Sequence, residues 1–335
     1  MKNSKDISLV WNFEDWEQME NKSKSHLKKM ENELKMKEHL VNLARLVLRA
    51  HSTSFFIVTR LLPKPKRDNV ELIYCAVRYP DEIVDSFNIN EQKKKLLLDD
   101  WSKKYEIGLN SNSIKQSVEN HVPFPICGFT QLIKNYNIPS DYYRSFIDAM
   151  IRDSNPRSFS NIEDLIDNYI YGSAIVVGYF LAYVYGSINK DSFPLAIESS
   201  RNLGIALQLT NFIRDIDEDR SRGRCYIPTD ILNKVGLNYE DFFSYKDEEK
   251  IIEARRIMAK IADEYYEKSL TGLKYFSKDS HVAIRSCTYL YRKLNQRIFI
   301  SNKSISHRES LSVIEKLTAL PFSKYWKLPM SYLKK

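Results

Sequence analysis

Two short acidic patterns contain the residues whose types and spacing best suit chemistry. In the segment IYCAVRYPDEIVDSF, four polar residues recur at intervals of three and four: Tyr74, Arg78, Asp81 and Asp85. In an α-helix of 3.6 residues per turn these side chains share one face, with Glu82 at its margin. We predict that this face forms part of a polar site.

The second pattern lies in the segment ALQLTNFIRDIDED. Its polar residues also recur at spacings of three and four: Gln208, Asn211, Asp215 and Asp219. The segment is otherwise strongly apolar, where charged side chains are rare. A single pair of Asp residues four positions apart is usually a solvated acidic face. Two such patterns, each with amides or Arg on the same face, favour a functional site over that alternative.

Both patterns suit a site for Mg²⁺ and a diphosphate. Carboxylates four residues apart on a helix repel each other, and a divalent cation removes that penalty. Mg²⁺ prefers oxygen ligands and often shares one or two carboxylates with substrate phosphates, while Arg donates paired hydrogen bonds to phosphate oxygens. The predicted metal ligands are Asp81, Asp85, Asp215 and Asp219, assisted by Asn211.

Long helices are needed to position these side chains, and the composition is that of a helical protein. The 335 residues include only 9 Gly and 11 Pro, about half of the average share. Sandwiches, barrels and nucleotide-binding sheets use glycine in turns and phosphate loops, so they are disfavoured. With 43% hydrophobic residues, the chain can bury a large core. We predict one all-helical domain.

Apolar periodicity and breaker residues locate the helices. The predicted helices are 70–87, 141–152, 162–186, 194–219, 248–276 and 281–300. Pro80 falls inside the first of them and is expected to kink it or mark an irregular turn. Residues 220–245, punctuated by Gly and Pro, are predicted to be irregular.

Charge and cysteine content limit the partners and the location. The net charge is +8, but the 51 Lys and Arg are interleaved with 43 Asp and Glu, which favours a solvated surface over a nucleic-acid interface. The four Cys lie far apart, as in a reduced cytoplasmic protein. There is no apolar signal region, and no apolar run reaches the ~18 residues that span a bilayer. We predict a cytoplasmic protein that binds no nucleic acid.

Four segments resemble, in chain order, the signature segments of squalene/phytoene synthases, the head-to-head trans-isoprenyl diphosphate synthases. They are HSTSFFIVTRLLP, YCAVRYPDEIVD, YIYGSAIVVGYFLAYVYG and ALQLTNFIRDIDEDRSRGRCYIP. The likeness extends from about Leu40 to Leu320, and the last segment is the most specific. The resemblance implies an all-α class I isoprenoid synthase fold around a central cavity, where two allylic prenyl diphosphates bind with Mg²⁺.

The resemblance also implies roles for individual residues. The two aspartate motifs are matched by Asp81 and Asp85, with Glu82 where Asp is common, and by Asp215 and Asp219. The diphosphate-facing residues of the first acidic helix are matched by Tyr74 and Arg78. The residues at the mouth of the active site are matched by His51, Ser52, Ser54 and Phe55. The segment lining the hydrocarbon pocket is matched by Tyr169, Ala174, Val177 and Gly178. The residues before the second motif are matched by Gln208, Asn211 and Arg214, and the late diphosphate ligands by Tyr291 and Arg308.

Some residues depart from the family pattern. Ser173 and Ile175 stand where the pocket segment usually has small apolar residues and Gly, and Pro80 directly precedes the first Asp. A bulkier Ile175 would close a helix–helix approach or shorten one tail channel. None of these positions is a metal ligand, so they bear on substrate length more than on chemistry.

The implied reaction begins when a carbon–oxygen bond breaks to give an allylic cation and diphosphate. Mg²⁺ and the Arg side chains would neutralise the leaving group, and apolar and aromatic walls would shield the cation from water. Residues 220–228 are either a flap whose Arg222 and Arg224 reach substrate phosphates or a surface loop after a helix.

The predicted function is the phytoene synthase reaction, in which two geranylgeranyl diphosphates condense head to head through a cyclopropylcarbinyl diphosphate. One alternative is squalene or dehydrosqualene synthesis from farnesyl diphosphate, the former with NADPH. Another is a non-catalytic relative that binds lipid or assists assembly. The sequence leaves substrate length and oligomeric state open.

The predicted domains are an N-terminal extension (1–38), a catalytic domain (39–325) and a basic tail (326–335). The basic, aromatic C-terminus KYWKLPMSYLKK and a hydrocarbon product favour peripheral contact with a membrane.

Overall fold

The computed structural model describes residues 11–153, 157–244 and 247–318, and within these ranges the chain is helical with no strand. One isolated antiparallel bridge joins Ser187 and Phe276. The chain divides into two compact units, residues 1–140 and 141–335. The all-α class is confirmed. The domain bounds of 38 and 325 stay a prediction, and the tail 326–335 lies outside the described residues.

The described part of the first unit forms seven helices. They are α1 (Phe13–Leu27), α2 (Glu33–His51), α3 (Thr53–Thr59), α4 (Lys64–Asp85), α5 (Glu91–Asn110), α6 (Ile114–Glu119) and α7 (Phe124–Asn135). Asn or Ser side chains cap five of their N-termini. The other two, α4 and α7, begin with Pro in the first turn, where a missing N–H costs no helical hydrogen bond.

The core of this unit is built around α4, which packs on α2 and α7. The helix predicted at 70–87 is therefore confirmed, with an earlier start at Lys64. Pro80 is buried inside α4, and the helix continues past it to Asp85. The first acidic motif consequently lies on the last turns of a packed helix.

The segment 1–38, predicted as an extension, includes a helix that is packed into the first unit. In α1, Trp16 is only 2% exposed, and its ring stacks on Phe124 with centroids 6.2 Å apart. The Glu20 carboxylate accepts a hydrogen bond of 3.0 Å from the backbone N–H of Phe124. This bond caps the start of α7, where the N-cap residue Pro123 offers no side-chain hydrogen bond.

The described part of the second unit is also helical. Its elements are α8 (Asp141–Asp153), α9 (Ile162–Leu165), a π-helix (Ile166–Ile175), α10 (Val176–Tyr185), α11 (Phe193–Arg214), α12 (Ile216–Ser221), α13 (Thr229–Lys234), α14 (Tyr239–Phe243), α15 (Glu248–Thr271), α16 (His281–Ile300) and α17 (Val313–Thr318). Two short 3₁₀ turns are Leu273–Tyr275 and Lys278–Ser280. Helix α11 is central, because it packs on the π-helix, α10, α15 and α16.

Residues 162–185 form one continuous helical segment, as predicted, but its winding changes along its length. Ten residues, Ile166–Ile175, are a π-helix, which is rare and frequent at functional sites. Contrary to the sequence expectation, Ile162–Tyr185 is long and apolar enough to cross a membrane by length and composition, and half of its most apolar window is buried inside the structure. Its contacts with α8 and α11 are those of a core helix.

The helix predicted at 194–219 is interrupted. Helix α11 ends at Arg214 and α12 begins at Ile216. Asp215 lies between them with φ −106° and ψ 20°, outside the α-helical range. The expectation that Gln208 and Asp219 lie on one continuous helix is therefore wrong. Residues 220–245, predicted to be irregular, contain the short helices α13 and α14.

Candidate active site

In the first unit, a buried ionic cluster joins the end of α2 to α4. His51 Nδ1 lies 2.7 Å from Glu82 Oε1, and both side chains are fully buried. Arg78 forms ion pairs with Glu82 and Asp81, and its Nε lies 3.3 Å from His51 Nδ1. Glu82 is thus at the centre of the cluster rather than at the margin of the acidic face. The structure thus brings together three residues that were predicted for the site, His51, Arg78 and Asp81. It adds Glu82, which was predicted only at the margin of the acidic face.

The electrostatics of this cluster favour charged side chains. Burial by itself favours the protonated form of Glu82, but the contact with His51 and the charge of Arg78 outweigh it and lower the pKa of Glu82. Burial also opposes the charge on Arg78, yet Asp81, Tyr74 and Glu82 raise its pKa. Arg78 is therefore held as a cation beside two carboxylates.

The other residues predicted at the mouth of the active site lie where the chain passes from α2 into α3. Ser52 accepts a hydrogen bond from the Phe55 N–H at 3.3 Å and so caps α3. The Phe55 ring lies 5.8 Å from that of Tyr74. Ser54 is in the same first turn of α3 and is partly exposed. The break at Ser52, a single residue between α2 and α3, turns the chain so that α3 packs on α4.

Aromatic residues of the N-terminal segment enclose His51. The Trp16 ring lies 5.9 Å from the imidazole, and the Trp11 ring lies 6.4 Å from it, edge to face. His51 Nε2 is buried, and it has no hydrogen-bond partner among the described residues. This nitrogen is enclosed by protein, so the contact of His51 with diphosphate stays a prediction. The sequence analysis missed the two Trp residues because they precede the recognisable segments.

In the second unit, Asp215 lies between two arginines. Arg214 donates to both carboxylate oxygens of Asp215, at 2.9 and 2.5 Å, and Arg308 Nε donates to Oδ1 at 2.7 Å. Burial opposes ionisation of Asp215, but the bonds from Arg214 and Arg308 outweigh it and lower its pKa. Burial likewise opposes the charge on Arg214, whereas Asp215 and then Tyr291 raise its pKa. Arg308 therefore contacts the second acidic motif and Tyr291 interacts with Arg214, while their role as diphosphate ligands stays a prediction.

The other polar residues of the second motif are placed by α11 and α12. Gln208 and Asn211 lie on the last two turns of α11 and are partly exposed, as is Asp219 on α12. Despite the break at Asp215, the Asp219 N–H donates to the Asp215 carbonyl at 2.9 Å. One turn of helical bonding therefore carries across the break.

The predicted hydrocarbon-pocket segment packs closely on α11. A Cβ atom at Gly178 would lie 2.9 Å from the Ser200 carbonyl oxygen, so a side chain there would force the two helices apart. Ile175 is fully buried. Helix α11 approaches its backbone closely at Gly204, where an added Cβ atom would lie 3.3 Å from Ile175 Cα. Ala174 and Val177 are partly exposed. Their contact with substrate stays a prediction.

Tyr169 belongs to a polar group that sequence reasoning only partly found. The Tyr226 hydroxyl donates to Asp153 at 2.6 Å and lies 3.1 Å from the Tyr169 hydroxyl. Arg224 Nη1 lies 3.2 Å from Asp153, and its side chain is buried. Arg222 and Arg224 were predicted either to reach substrate phosphates from a flap or to belong to a surface loop. The guanidinium of Arg224 is in a buried ion pair, while Arg222 pairs with the exposed Glu218.

A pocket of about 270 Å³ in the second unit is lined by Asp153, Tyr169, Arg224 and Tyr226. Its other lining residues are Arg152, Arg157, Phe159, Asn168 and Cys225. Asp153 and Tyr226 were missed as site residues because the hydrogen bond between them joins positions 73 residues apart. No local spacing marks such a pair.

The carboxylates of the two motifs suit Mg²⁺ by donor chemistry. Among the described residues, no three His, Cys, Asp or Glu side chains are grouped to hold a metal ion. Mg²⁺ commonly takes one or two carboxylates and completes its shell with water and substrate phosphates, so a preformed cage is not required. The partly exposed oxygens that suit this mode belong to Asp81, Asp85, Asn211, Asp215 and Asp219. Their role as metal ligands stays a prediction.

Comparison with known proteins identifies relatives over most of the chain. Residues 48–309 match the family described as squalene/phytoene synthase. The chain is 25% identical over 283 residues to a 15-cis-phytoene synthase from Pantoea ananas, covering 84% of this chain and 90% of the relative. It is 30% identical over 192 residues to a presqualene diphosphate synthase from Rhodopseudomonas palustris, covering 57% of this chain and 64% of that protein, just under two thirds of its length.

The fold has a close structural counterpart. The crystal structure of a dehydrosqualene synthase in complex with a ligand superposes with a TM-score of 0.69 at 21% identity, covering 90% of this chain and 99% of that one. At this identity the likeness shows the fold alone, and it confirms the helical architecture expected from the sequence.

Proposed function

This chain belongs to the squalene/phytoene synthase family, and on that premise we propose that it condenses two geranylgeranyl diphosphates head to head to form phytoene. The family consists of prenyltransferases that act on prenyl diphosphates. The observation that carries the finer assignment is the match to 90% of the length of a 15-cis-phytoene synthase. The proposed intermediate is a cyclopropylcarbinyl diphosphate.

The chain's own residues would stabilise the charge of the leaving group. Arg78 of the first unit and Arg214 and Arg308 of the second are held as hydrogen-bonded cations beside carboxylates. Such preorganised donors stabilise a developing diphosphate anion without reorganising during the reaction. Mg²⁺, when bound by the Asp residues of the two motifs, would supply further neutralisation of phosphate charge.

Apolar and aromatic side chains would protect the allylic cation. The Phe55 ring packs on Tyr74 beside the first acidic motif, and Tyr169 is enclosed by the rings of Phe159, Phe212 and Tyr226. Excluding water prevents premature capture of the cation. We assign Phe55, Tyr169 and Val177 to this wall.

A second candidate reaction uses farnesyl diphosphate and gives squalene, with NADPH, or dehydrosqualene. The relative named presqualene diphosphate synthase, at 30% identity, favours this alternative. A non-catalytic role in lipid binding or assembly is the third candidate, and the presence of all four motif Asp residues argues against it. Cytoplasmic location and peripheral membrane contact stay predictions.

One assay separates these functions. Purified protein is incubated with Mg²⁺ and either geranylgeranyl or farnesyl diphosphate, with and without NADPH, and the extracted products are identified by mass spectrometry. We expect a C40 product from geranylgeranyl diphosphate that does not depend on NADPH. A C30 product alone would reject the phytoene assignment, and no diphosphate release from either substrate would reject the enzymatic function.

A further inference from the structure

A hydrogen-bonded chain of buried polar groups ends at Tyr169 in the second unit. Its members are only 6–8% exposed: Asp153, Tyr169, Arg224 and Tyr226. They come from three separate places in the sequence, namely the end of α8, the π-helix and the segment after α12. Buried polar groups are costly unless they are paired, so this arrangement needs a structural or functional reason.

The two short contacts define the direction of the hydrogen bonds. A phenol has one proton to donate. Tyr226 uses its proton in the 2.6 Å bond to Asp153, whose carboxylate can only accept. Its 3.1 Å contact with Tyr169 must therefore be one in which the Tyr169 hydroxyl donates. The proton of Tyr169 points toward Tyr226, and its remaining lone pairs are directed elsewhere.

The neighbours of Asp153 and Tyr226 stabilise this direction of the hydrogen bonds. Arg224 lies 3.2 Å from the second oxygen of Asp153, and an adjacent guanidinium favours the ionised carboxylate. The Tyr226 ring stacks on Phe212 of α11 with centroids 4.1 Å apart and an interplanar angle of 15°. Burial, followed by the neighbouring polar groups, raises the pKa of both tyrosines, so both carry their protons at neutral pH.

We propose that Asp153, Arg224 and Tyr226 are positioning residues that hold the hydroxyl proton of Tyr169 in its hydrogen bond to Tyr226, so that this proton does not turn toward an allylic cation. The proposal rests on the proposed function, in which Tyr169 lines the cavity that holds an allylic cation. A hydroxyl proton directed at a cation would repel it, whereas the oxygen lone pairs and the face of the ring attract it. The chain Tyr169–Tyr226–Asp153–Arg224 orients this dipole before the cation forms, at no cost during the reaction.

The proposal predicts the effect of Tyr226→Phe. This variant keeps the ring that stacks on Phe212 and removes only the hydroxyl that accepts from Tyr169. The Tyr169 hydroxyl is then free to rotate toward the pocket. We expect kcat to fall on the order of tenfold, with little change in KM, because the interaction matters only once charge has developed. Asp153→Asn should act in the same direction.

A double-mutant cycle tests whether these residues act through Tyr169. In a Tyr169→Phe background the hydroxyl is absent, so adding Tyr226→Phe should cause no further loss of kcat. The matched control is Tyr266→Phe, which removes another buried hydroxyl of the second unit, in contact with Thr210 Oγ1 at 2.8 Å. We expect its kcat to equal that of the wild type. Additive losses in the cycle, or an equal loss in the control, would overturn the positioning role.

A second measurement does not depend on turnover. In protein labelled with ¹³C at tyrosine Cζ, the Tyr169 resonance should shift in Tyr226→Phe and Asp153→Asn and stay unchanged in Tyr266→Phe. An unshifted resonance would overturn the hydrogen-bonded arrangement, and a shifted resonance with unchanged kcat would overturn its effect on the reaction. If the wild type does not turn over, the proposed function fails and with it the role in the reaction, while the resonance still decides the arrangement.

Discussion

The aspartate motif of the first unit and that of the second unit are surrounded by different balances of charge. On α4, one cation, Arg78, is shared by Asp81 and Glu82, with Asp85 one turn further along. After α11, one carboxylate, Asp215, is shared by two cations. Counting these groups and Asp219, the first motif has three carboxylates to one guanidinium and a net negative charge, whereas the second has two carboxylates to two guanidiniums and is balanced.

The two motifs also differ in where their partners come from. Arg78 precedes its carboxylates by three and four residues on the same helix, so helical geometry alone brings them together. Arg308 is 93 residues from Asp215 and reaches it only through the packing of the second unit. In addition, aromatic rings of the N-terminal segment enclose His51 in the first unit.

This difference suggests a division of labour between the motifs. A site with excess carboxylate favours a divalent cation, whereas a site whose carboxylates are balanced by guanidiniums is better suited to a diphosphate. The first motif is thus expected to contribute more to metal affinity, and the second to contribute more to substrate affinity.

The largest expected effect comes from neutralising one Asp in each motif. Asp81→Asn and Asp215→Asn should each lower kcat on the order of 10²- to 10³-fold, because each removes a carboxylate proposed to hold the Mg²⁺ that would neutralise the departing diphosphate. If the division of labour holds, Asp81→Asn also raises the Mg²⁺ concentration for half-maximal activity more than Asp215→Asn does. Turnover measured against Mg²⁺ concentration tests this, with circular dichroism to verify that helicity is retained. Undiminished activity in either variant would refute its role as a metal ligand.

A smaller effect, on stability, is expected from Glu82→Gln. Removing one partner of a buried ion pair costs about 3–5 kcal/mol. The pKa of Glu82 is lowered on folding, so its ionised form stabilises the folded state above its ordinary value of 4.5. That contribution is lost as the pH falls through the lower folded pKa. The difference in unfolding free energy between wild type and variant should therefore be constant near neutral pH and shrink in acid.

Glu71 provides a matched control in the same helix. Its side chain is also fully buried and is paired with Arg45 and Arg60, neither of which is a predicted site residue. Glu71→Gln should destabilise the protein by a similar amount without raising KM. Glu82→Gln should destabilise the protein and also raise KM, because it releases His51 and Arg78. An equal rise in KM in both variants would show that the cluster around Glu82 has only a structural role.

The smallest effect is expected from Arg308→Ala. Its side chain is 61% exposed, so its contribution to stability is small. Loss of one charged donor to a phosphate should raise KM about tenfold. Arg308→Lys, which keeps a charged donor, should raise KM less than Arg308→Ala does. The pKa of Asp215 should rise toward its usual range, which moves the acid limb of the pH–activity profile to higher pH. The exposed Arg144, paired with Asp141, provides the control, and a profile unchanged from that of Arg144→Ala would contradict the prediction.

The sequence by itself determined the helices and the local part of each motif. Apolar periodicity predicted α4, α8 and α16 to within a few residues at most ends, and the spacing of Arg78 and Asp81 predicted one shared helix face, on which the structure pairs them. These are interactions of residues three or four positions apart, which the geometry of the α-helix places together whatever surrounds it.

Tertiary structure alone decided the remaining features. The break at Asp215, the π-winding around Tyr169, the burial of Glu82 and the enclosure of His51 by Trp16 depend on neighbours far along the chain. The pairing of Asp153 with Tyr226 spans 73 residues. Such contacts arise from the packing of whole helices, and a pattern of residue types along one helix carries no information about which side chain another helix will bring to it.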